Sequence, residues 1–273
     1  MTVAEIRVSS EWLDLREPAD AAARAVDLVE HLRRRLPTGA PLHIHDLACG
    51  NGAMGRWLAP LLPGRQRWIG HDRDADLLGM AAVRPPRRAA DGLAVTFEPA
   101  CSDITMLAAG DLAGATLITA SALLDLLTAD ELDRVVDLCI AVGCPALLTL
   151  SVAGRVSLAP ADPLDQRMAS AFDAHQRRLT AGGRLLGPDA VAAAVAGFRR
   201  RGADVLTSPS PWRLGAADAA LAAEWLAGWV GAACEHEPRL AGRADAYLRR
   251  RRAQIRSGRL AATVAHADIL VLP

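Results

Sequence analysis

His45-Asp46-Leu47-Ala48-Cys49-Gly50-Asn51-Gly52-Ala53-Met54-Gly55 carries the strongest signal in this chain. It leaves a short apolar run, Leu42 to Ala48, and enters a helical pattern from Ala53 to about Leu62. Glycine lets a backbone turn tightly and approach a ligand closely. The N–H groups that open the following helix then face whatever occupies the turn. Twenty residues beyond Gly52, Asp72 closes a second apolar run, in Trp68-Ile69-Gly70-His71-Asp72-Arg73-Asp74. An acid there can accept both hydroxyl hydrogens of a ribose. The pattern predicts a nucleotide-bearing cofactor at the ends of two neighbouring strands.

The flanking sequence alternates strand and helix patterns. Strands are expected at Arg67 to Gly70, Leu93 to Phe97, Thr116 to Ala120 and Ala146 to Val152, with helices at Asp74 to Ala82 and Ala129 to Val142. This alternation predicts βαβ units around a parallel sheet. The second half reads as helices over 163–179 and 188–200, a strand over 203–207, two helices within 216–256 broken near Pro238, and a last strand over 260–272. Residues 18–36 read as one helix with Pro18 in its first turn. The expected fold is α/β: a Rossmann-like open, mostly parallel seven-stranded sheet with an antiparallel last strand. Helical lid additions are expected at the N-terminus (residues 1–40) and as an insertion at about 214–258 in a domain spanning 41–273.

Composition narrows the partners. The 31 basic residues, all Arg, balance 31 acidic ones. No net field draws nucleic acid or an anionic membrane. The five Cys, Cys49, Cys101, Cys139, Cys144 and Cys234, are odd in number and match no zinc spacing. They are expected as reduced thiols packed like small apolar groups, in a reducing compartment. Met1 to Arg16 lacks a signal-peptide core and no run of ~20 apolar residues occurs. The protein is therefore expected to be cytoplasmic, with no membrane partner and no metal.

Gly50-x-Gly52-x-x-Gly55 also fits the dinucleotide fingerprint, which alone is weak. Asp46 stands four residues before Gly50, where a dinucleotide fold usually places an apolar residue. The chain is also expected to end in a hairpin instead of a parallel sixth strand. An NAD(P)-binding oxidoreductase and a cofactor-binding regulator without catalysis remain alternatives. Taken together, the motifs resemble those of the class I S-adenosylmethionine-dependent methyltransferases. Asp46-Leu47-Ala48-Cys49-Gly50-Asn51-Gly52 is similar to that family's glycine-rich first motif, and Gly70-His71-Asp72-Arg73-Asp74 to its acidic second. Ser102-Asp103-Ile104 resembles the segment flanking the adenine, and Ala120-Ser121-Ala122-Leu123-Leu124-Asp125 the fourth motif. The resemblance covers residues 42–150.

It implies S-adenosylmethionine as cofactor and methyl transfer to a substrate O, N or C atom. By position, Gly50 and Gly52 would let the backbone pass close to the methionine part, and Asp46 would support the turn. Asp72 would hold the ribose, Asp103 would accept from the adenine amino group, and Ile104 would lie against the ring. Ala48, Asn51, Arg73, Ser102 and Ser121 complete the cofactor side. Asp125 reads as a helix or turn residue.

Substrates of open α/β sheets sit beyond the carboxyl ends of the strands. Trp12 and Arg16, near the N-terminus, and Trp212, in Ser208-Pro209-Ser210-Pro211-Trp212-Arg213, are expected to wall that region. Arg16 reads either as a partner of the cofactor carboxylate or as a solvated surface residue. Leu164, Met168, Ala171, Phe172, His175 and Leu179 share one helix face at spacings of three and four. His175 thus reads either as a core histidine or as a general base. Arg249-Arg250-Arg251-Arg252 is expected as a solvated helix face, with an RNA methyltransferase as the alternative. The balance favours a small-molecule acceptor and no nucleic acid.

Overall fold

The computed structural model describes residues 8–273, so the first seven residues of the expected N-terminal cap lie outside the described residues. Strands β1 (Leu42–Leu47), β2 (Gln66–Asp72), β3 (Val95–Cys101), β4 (Leu117–Ser121) and β5 (Ala146–Ala159) run parallel to one another. A small hairpin, β6 (Leu179–Thr180) and β7 (Gly183–Arg184), stands apart. Strands β8 (Asp204–Pro209) and β9 (Trp212–Leu214) then pair antiparallel with the last strand, β10 (Ala261–Leu272), which also pairs antiparallel with β5. The order is β3-β2-β1-β4-β5-β10-β8.

The open, mostly parallel sheet with an antiparallel last strand is the expected architecture. The count differs: eight strands instead of seven. The added strand is a break in the sixth. Pro209 pairs with Ala267 and Trp212 with Val264, so β8 and β9 follow one line along β10. Pro211, between them, has no N–H to give to a ladder.

Nine helices are described: α1 (Ser10–Ala23), α2 (Val26–Arg33), α3 (Ala53–Leu58), α4 (Ala75–Val83), α5 (Ala129–Val142), α6 (Asp165–Gln176), α7 (Ala190–Arg200), α8 (Ala219–His236) and α9 (Ala241–Arg256). None among the described residues is long and apolar enough to cross a membrane. Leu132, Val135, Val136 and Cys139 of α5, with Ala194 and Phe198 of α7, cover one sheet face through Ile118, Leu148 and Ile269. Leu28, Val29 and Leu32 of α2 and Met54 and Leu58 of α3 cover the other through Ile44, Trp68, Leu147 and Leu270.

A third core lies beyond the strand ends. β5 continues to Ala159, seven residues past the expected end at Val152, and β10 stays paired with it. This two-stranded arm carries α6, α8 and α9 on Leu158, Ala262 and Val264, around Met168, Trp225, Trp229 and Tyr247. Trp225 and Trp229 stack at 5.5 Å. Such pairs contribute about 0.5–1.5 kcal/mol beyond their area.

The fully buried Asp268 ties the arm to the sheet. It accepts from the backbone N–H of Leu150 at 2.7 Å and of Ala25 at 2.8 Å, and from the Ser210 hydroxyl. Leu150 has a positive φ of 55° and lies at a register shift of β10, so the carboxylate satisfies an amide that the ladder leaves out.

Several expectations are corrected here. Residues 18–36 are two helices. Ser9 caps α1 by accepting from the Trp12 N–H at 3.2 Å, well before Pro18. Pro18 sits inside α1 with its side chain exposed, and the chain kinks at Arg24 and Ala25, where Asp268 takes the Ala25 N–H. The stripe on α6 stops short: Leu164, Met168 and Ala171 are buried, but the helix ends at Gln176 and Leu179 is exposed. The arginine run is only partly solvated. Arg251 is fully buried, donating to the Pro160 carbonyl at 2.6 Å and Gln254 Oε1 at 2.8 Å and pairing with Asp165. Arg250 pairs with Asp162. Two of the four arginines therefore fasten α9 to the start of α6. All five cysteines are free; Cys49, Cys139 and Cys144 are buried, while Cys101 is exposed.

Candidate active site

The turn after β1 is held by its own strand neighbour. Ala48, Gly50 and Gly52 have positive φ values of 52°, 54° and 83°. Asp72, the last residue of β2, accepts from the Gly50 N–H at 2.8 Å and from the Asp74 N–H at 2.9 Å. One carboxylate thus fixes the glycine turn and the start of α4 while lining a cavity of about 530 Å³. Ala48, Gly50, Arg73, Ser102, Asp103, Ile104 and Ser121 line the same end. A volume of this size is typical of small-molecule sites.

Asp103 caps the turn that follows β3: its Oδ1 accepts from the Thr105 N–H at 2.9 Å and the Thr105 hydroxyl at 2.7 Å. The buried Ile104 side chain comes next. Ser102 is hydrogen-bonded to His71 Nδ1 at 3.0 Å, and Ser121 accepts from Arg24 at 3.1 Å.

Three of the expected cofactor residues stand behind the turn, outside the cavity lining. A Cβ on Gly52 would lie 3.2 Å from Ala81 Cβ and from Arg56 Nη1, so its bare α-carbon serves the packing of α3 on α4. Asn51 is buried and donates to Asp14 at 2.8 Å. With the Arg56–Glu17 pair at 2.6 Å it binds the turn to α1. Asp46 is buried beneath the turn, where its Oδ1 accepts from the Thr119 hydroxyl at 2.7 Å and its Oδ2 has no partner. Burial pushes its carboxyl up to about 7, against the pull of Thr119 and Arg24.

The other end of the cavity is built by α1, α6, α8 and the arm. Trp12 and Trp212 meet edge to face at 6.3 Å. Arg16 lies 5.0 Å from the Trp212 ring and pairs with Asp20 at 2.8 Å, and the Trp212 indole N–H also donates to Asp20 at 2.9 Å. All three expected substrate residues therefore line the cavity. Arg16 is neither solvated nor unpaired, and Arg213 is exposed, outside the lining.

His175 is not brought into this cavity. It borders a smaller one of about 160 Å³ and is hydrogen-bonded to the exposed Glu235 at 3.0 Å. The histidine that does line the main cavity is His266 on β10, tilted against Trp212 at 5.3 Å. Its Nδ1 is buried without a partner, and burial with the nearby Arg16 charge lowers its pKa to about 4.

Asp125, Phe172, Asp173, Gln176 and Trp225 join it in the lining. Burial raises Asp125 and Asp173 to about 6 each. Sequence reasoning did not place these residues in a site. Asp125 and Phe172 read there only as a turn residue and a stripe residue, and His266 carried an unused signal, as the polar residue on the inward face of an alternating strand, in line with Ala262 and Val264.

No protein-family model matches the chain, and the search of curated proteins finds no match. Solved structures do resemble it. A cyclopropane synthase from Mycobacterium tuberculosis shares 11% identity with a TM-score of 0.51, over 97% of this chain and 95% of that one. A mycolic acid cyclopropane synthase, complexed with SAH and CTAB, shares 12% with a TM-score of 0.50, over 96% and 94%. At such identities the likeness shows the fold. The chain has the Rossmann-like fold of class I methyltransferases, with the last strand antiparallel between its two neighbours.

Proposed function

We propose that this protein is an S-adenosylmethionine-dependent methyltransferase acting on a small molecule. The observation that carries the reading is Asp72. It sits at the end of β2, braces the Gly50 turn and lines the cavity. The cradle fits the cofactor: Gly50 lines it, and a Cβ there would already lie 3.2 Å from Leu13. The antiparallel β10 speaks against the dinucleotide alternative, whose sixth strand is parallel.

When bound, the cofactor supplies an activated methyl group to a nucleophile. The chain's contribution is positioning and exclusion of water. Asp72 retains a lone pair on each oxygen for the ribose hydroxyls. Asp103 has its Oδ2 for an adenine amino group, and Ile104 supplies the apolar wall. Ala48, Arg73, Ser102 and Ser121 complete the cofactor end, while Asp46, Asn51 and Gly52 set the turn's shape from behind. Trp12, Arg16, Trp212 and His266 wall the acceptor end. Asp125 and Asp173 titrate closer to neutrality than ordinary carboxylates, which suits them to accept a proton from an acceptor. His175, expected as the base, has no such place in the proposal.

We divide the chain into a cap over residues 1–40 and a methyltransferase domain over 41–273 with an insertion at about 214–258. The enclosing helices favour a small acceptor over nucleic acid or a membrane, and the odd set of five cysteines suits a reducing, cytoplasmic setting. Calorimetry is the test: S-adenosylhomocysteine should bind at micromolar strength, about −8 kcal/mol. Binding of NADH with no response to S-adenosylhomocysteine would overturn the reading.

A further inference from the structure

The acceptor end of the cavity is unusual in its hydrogen-bond inventory. Asp125 is buried and its Oδ1 has no partner. The Oε1 of Gln176 is buried without one as well. Among the described residues, the half-buried Asp173 carboxylate makes no hydrogen bond or ion pair. All three line the cavity. Ionised carboxylates and an amide oxygen only accept hydrogen bonds. Buried acceptors without donors are costly, so such a set waits for a donor.

The protein's own cations do not supply it. Arg16 is committed to Asp20, and Arg177 pairs with Asp189 at 2.5 Å. Arg16 and Arg178 act on Asp125, and Arg177 on Asp173, through charge without a hydrogen bond, and Arg178 donates instead to the His175 carbonyl. Arg155 reaches the lining as an exposed residue. The walls are aromatic: Trp12, Trp212, Trp225 and Phe172. Aromatic faces attract cations within about 6 Å, and more strongly where water is excluded.

We propose that the acceptor carries a basic amine, received by Asp125, Asp173 and Gln176 within the aromatic half of the cavity. This deepens the methyltransferase reading, on which it rests for the word acceptor, while the amine site itself is a property of the cavity. A protonated amine donates up to three hydrogen bonds, which matches three acceptors. The charge pairs with the two carboxylates, and the attached carbon skeleton lies against the indoles.

The test uses the full-length protein and intrinsic tryptophan fluorescence, since three of its six Trp line the cavity. The probes are 2-phenylethylamine, 2-phenylethanol and 3-phenylpropanoate, each titrated with and without saturating S-adenosylhomocysteine. The amine is expected to bind about tenfold tighter than the alcohol, the factor for a charge-assisted hydrogen bond, and the propanoate weakest. Asp125→Asn and Asp173→Asn should each remove most of that advantage and leave the alcohol unchanged. Asp173, being half-exposed, keeps the test valid if the buried variant fails to fold.

Propanoate binding as tightly as the amine overturns the proposal, as does an amine affinity unchanged in Asp173→Asn. It also falls if the variants lose preference for S-adenosylmethionine over S-adenosylhomocysteine with amine binding intact, because the carboxylates then serve the sulfonium. If S-adenosylhomocysteine binds but no amine preference exists, this inference fails alone. If the amine preference exists and S-adenosylhomocysteine does not bind, the cofactor reading fails and the amine site stands.

Discussion

The two ends of the cavity are built by different means. The end proposed for the cofactor is backbone: positive φ at Ala48 and Gly50, amides braced by Asp72, and a cap at Asp103, all within the segments that leave β1, β2 and β3. The end proposed for the acceptor is side chain: Trp12 from α1, Asp125 after β4, Asp173 and Gln176 from α6, Trp212 from β9 and His266 from β10. Backbone turns are set by local sequence, so the first end is written in short motifs. The second exists only when residues 192 apart, such as Asp20 and Trp212, are brought together. A fold can keep the first end and change its substrate by altering the second.

The sharpest way to break this comparison is at the turn. Gly50→Val places a β-branched residue at φ 54° beside Leu13 and inside the cavity. Cofactor affinity should fall more than about a hundredfold, from strain of about 1–3 kcal/mol plus the lost space. Calorimetry with S-adenosylhomocysteine reads it. Gly52→Val, one step behind the cavity, should instead lower the melting temperature through its contact with Ala81, with affinity retained in the protein that folds. Equal loss of affinity in both would show that the lining does not separate the two glycines.

Asp72→Ala comes next. It removes a charged acceptor from the Gly50 amide and from the proposed ribose, each such bond being worth about 1.5–3 kcal/mol. A ten- to hundredfold loss of cofactor affinity is expected, measured on a variant whose circular dichroism is unchanged. Affinity equal to the parent would move the ribose contact to another residue.

How much of this was legible follows from the same contrast. The glycine turn, Asp72, Ser102-Asp103-Ile104 and the antiparallel end of the sheet were readable because each is a local pattern with one physical meaning. Asn51 and Gly52 were readable as part of the turn, yet the structure gives them contacts to α1 and α4 that no spacing announces. The β5–β10 arm was missed because Ala153-Gly154-Arg155-Val156-Ser157 is mostly half-buried or exposed and lacks an apolar run. Trp12 was legible as an aromatic in the N-terminal region expected to cover the site, and Trp212 as one just after a strand. Asp125 read as a turn residue because its burial comes from β5 and α7 packing against its turn, not from its neighbours in sequence.

His266 gives the comparison a pH signature. Its folded pKa, about 4, lies below the unfolded value of about 6.5. Above pH 6.5 both states are neutral and nothing is lost. As the pH falls from 6.5 towards 4, only the unfolded chain takes the proton, so stability declines over that window. At pH 5 the loss from this residue is on the order of 2 kcal/mol. His45, also lowered to about 4, acts in the same direction. Urea unfolding of His266→Gln should therefore show a shallower loss between pH 7 and pH 5 than the parent. Parallel curves would mean that the imidazole is not held neutral, and that the acceptor end is wetter than its packing indicates.

The smallest effect is expected at His175. Sequence periodicity placed it on an inward stripe, and the helix does present Met168 and Ala171 inward. The ring itself has turned to Glu235, a largely exposed partner on α8, and borders only the smaller cavity. Burial and the Arg178 charge lower its pKa while Glu235 raises it, so near neutrality the pair is mostly a hydrogen bond between a neutral ring and a carboxylate. Contacts of this kind at a surface contribute about 0–1 kcal/mol. His175→Ala should shift the melting temperature by a few degrees at most, leave S-adenosylhomocysteine affinity intact, and leave turnover of any acceptor within about threefold. A general base removed from a reacting atom costs about a hundredfold or more. A loss of that size at His175, with folding intact, would mean that α6 rotates its far face into the cavity when the site fills, and the acceptor end would have to be redrawn around a moving helix.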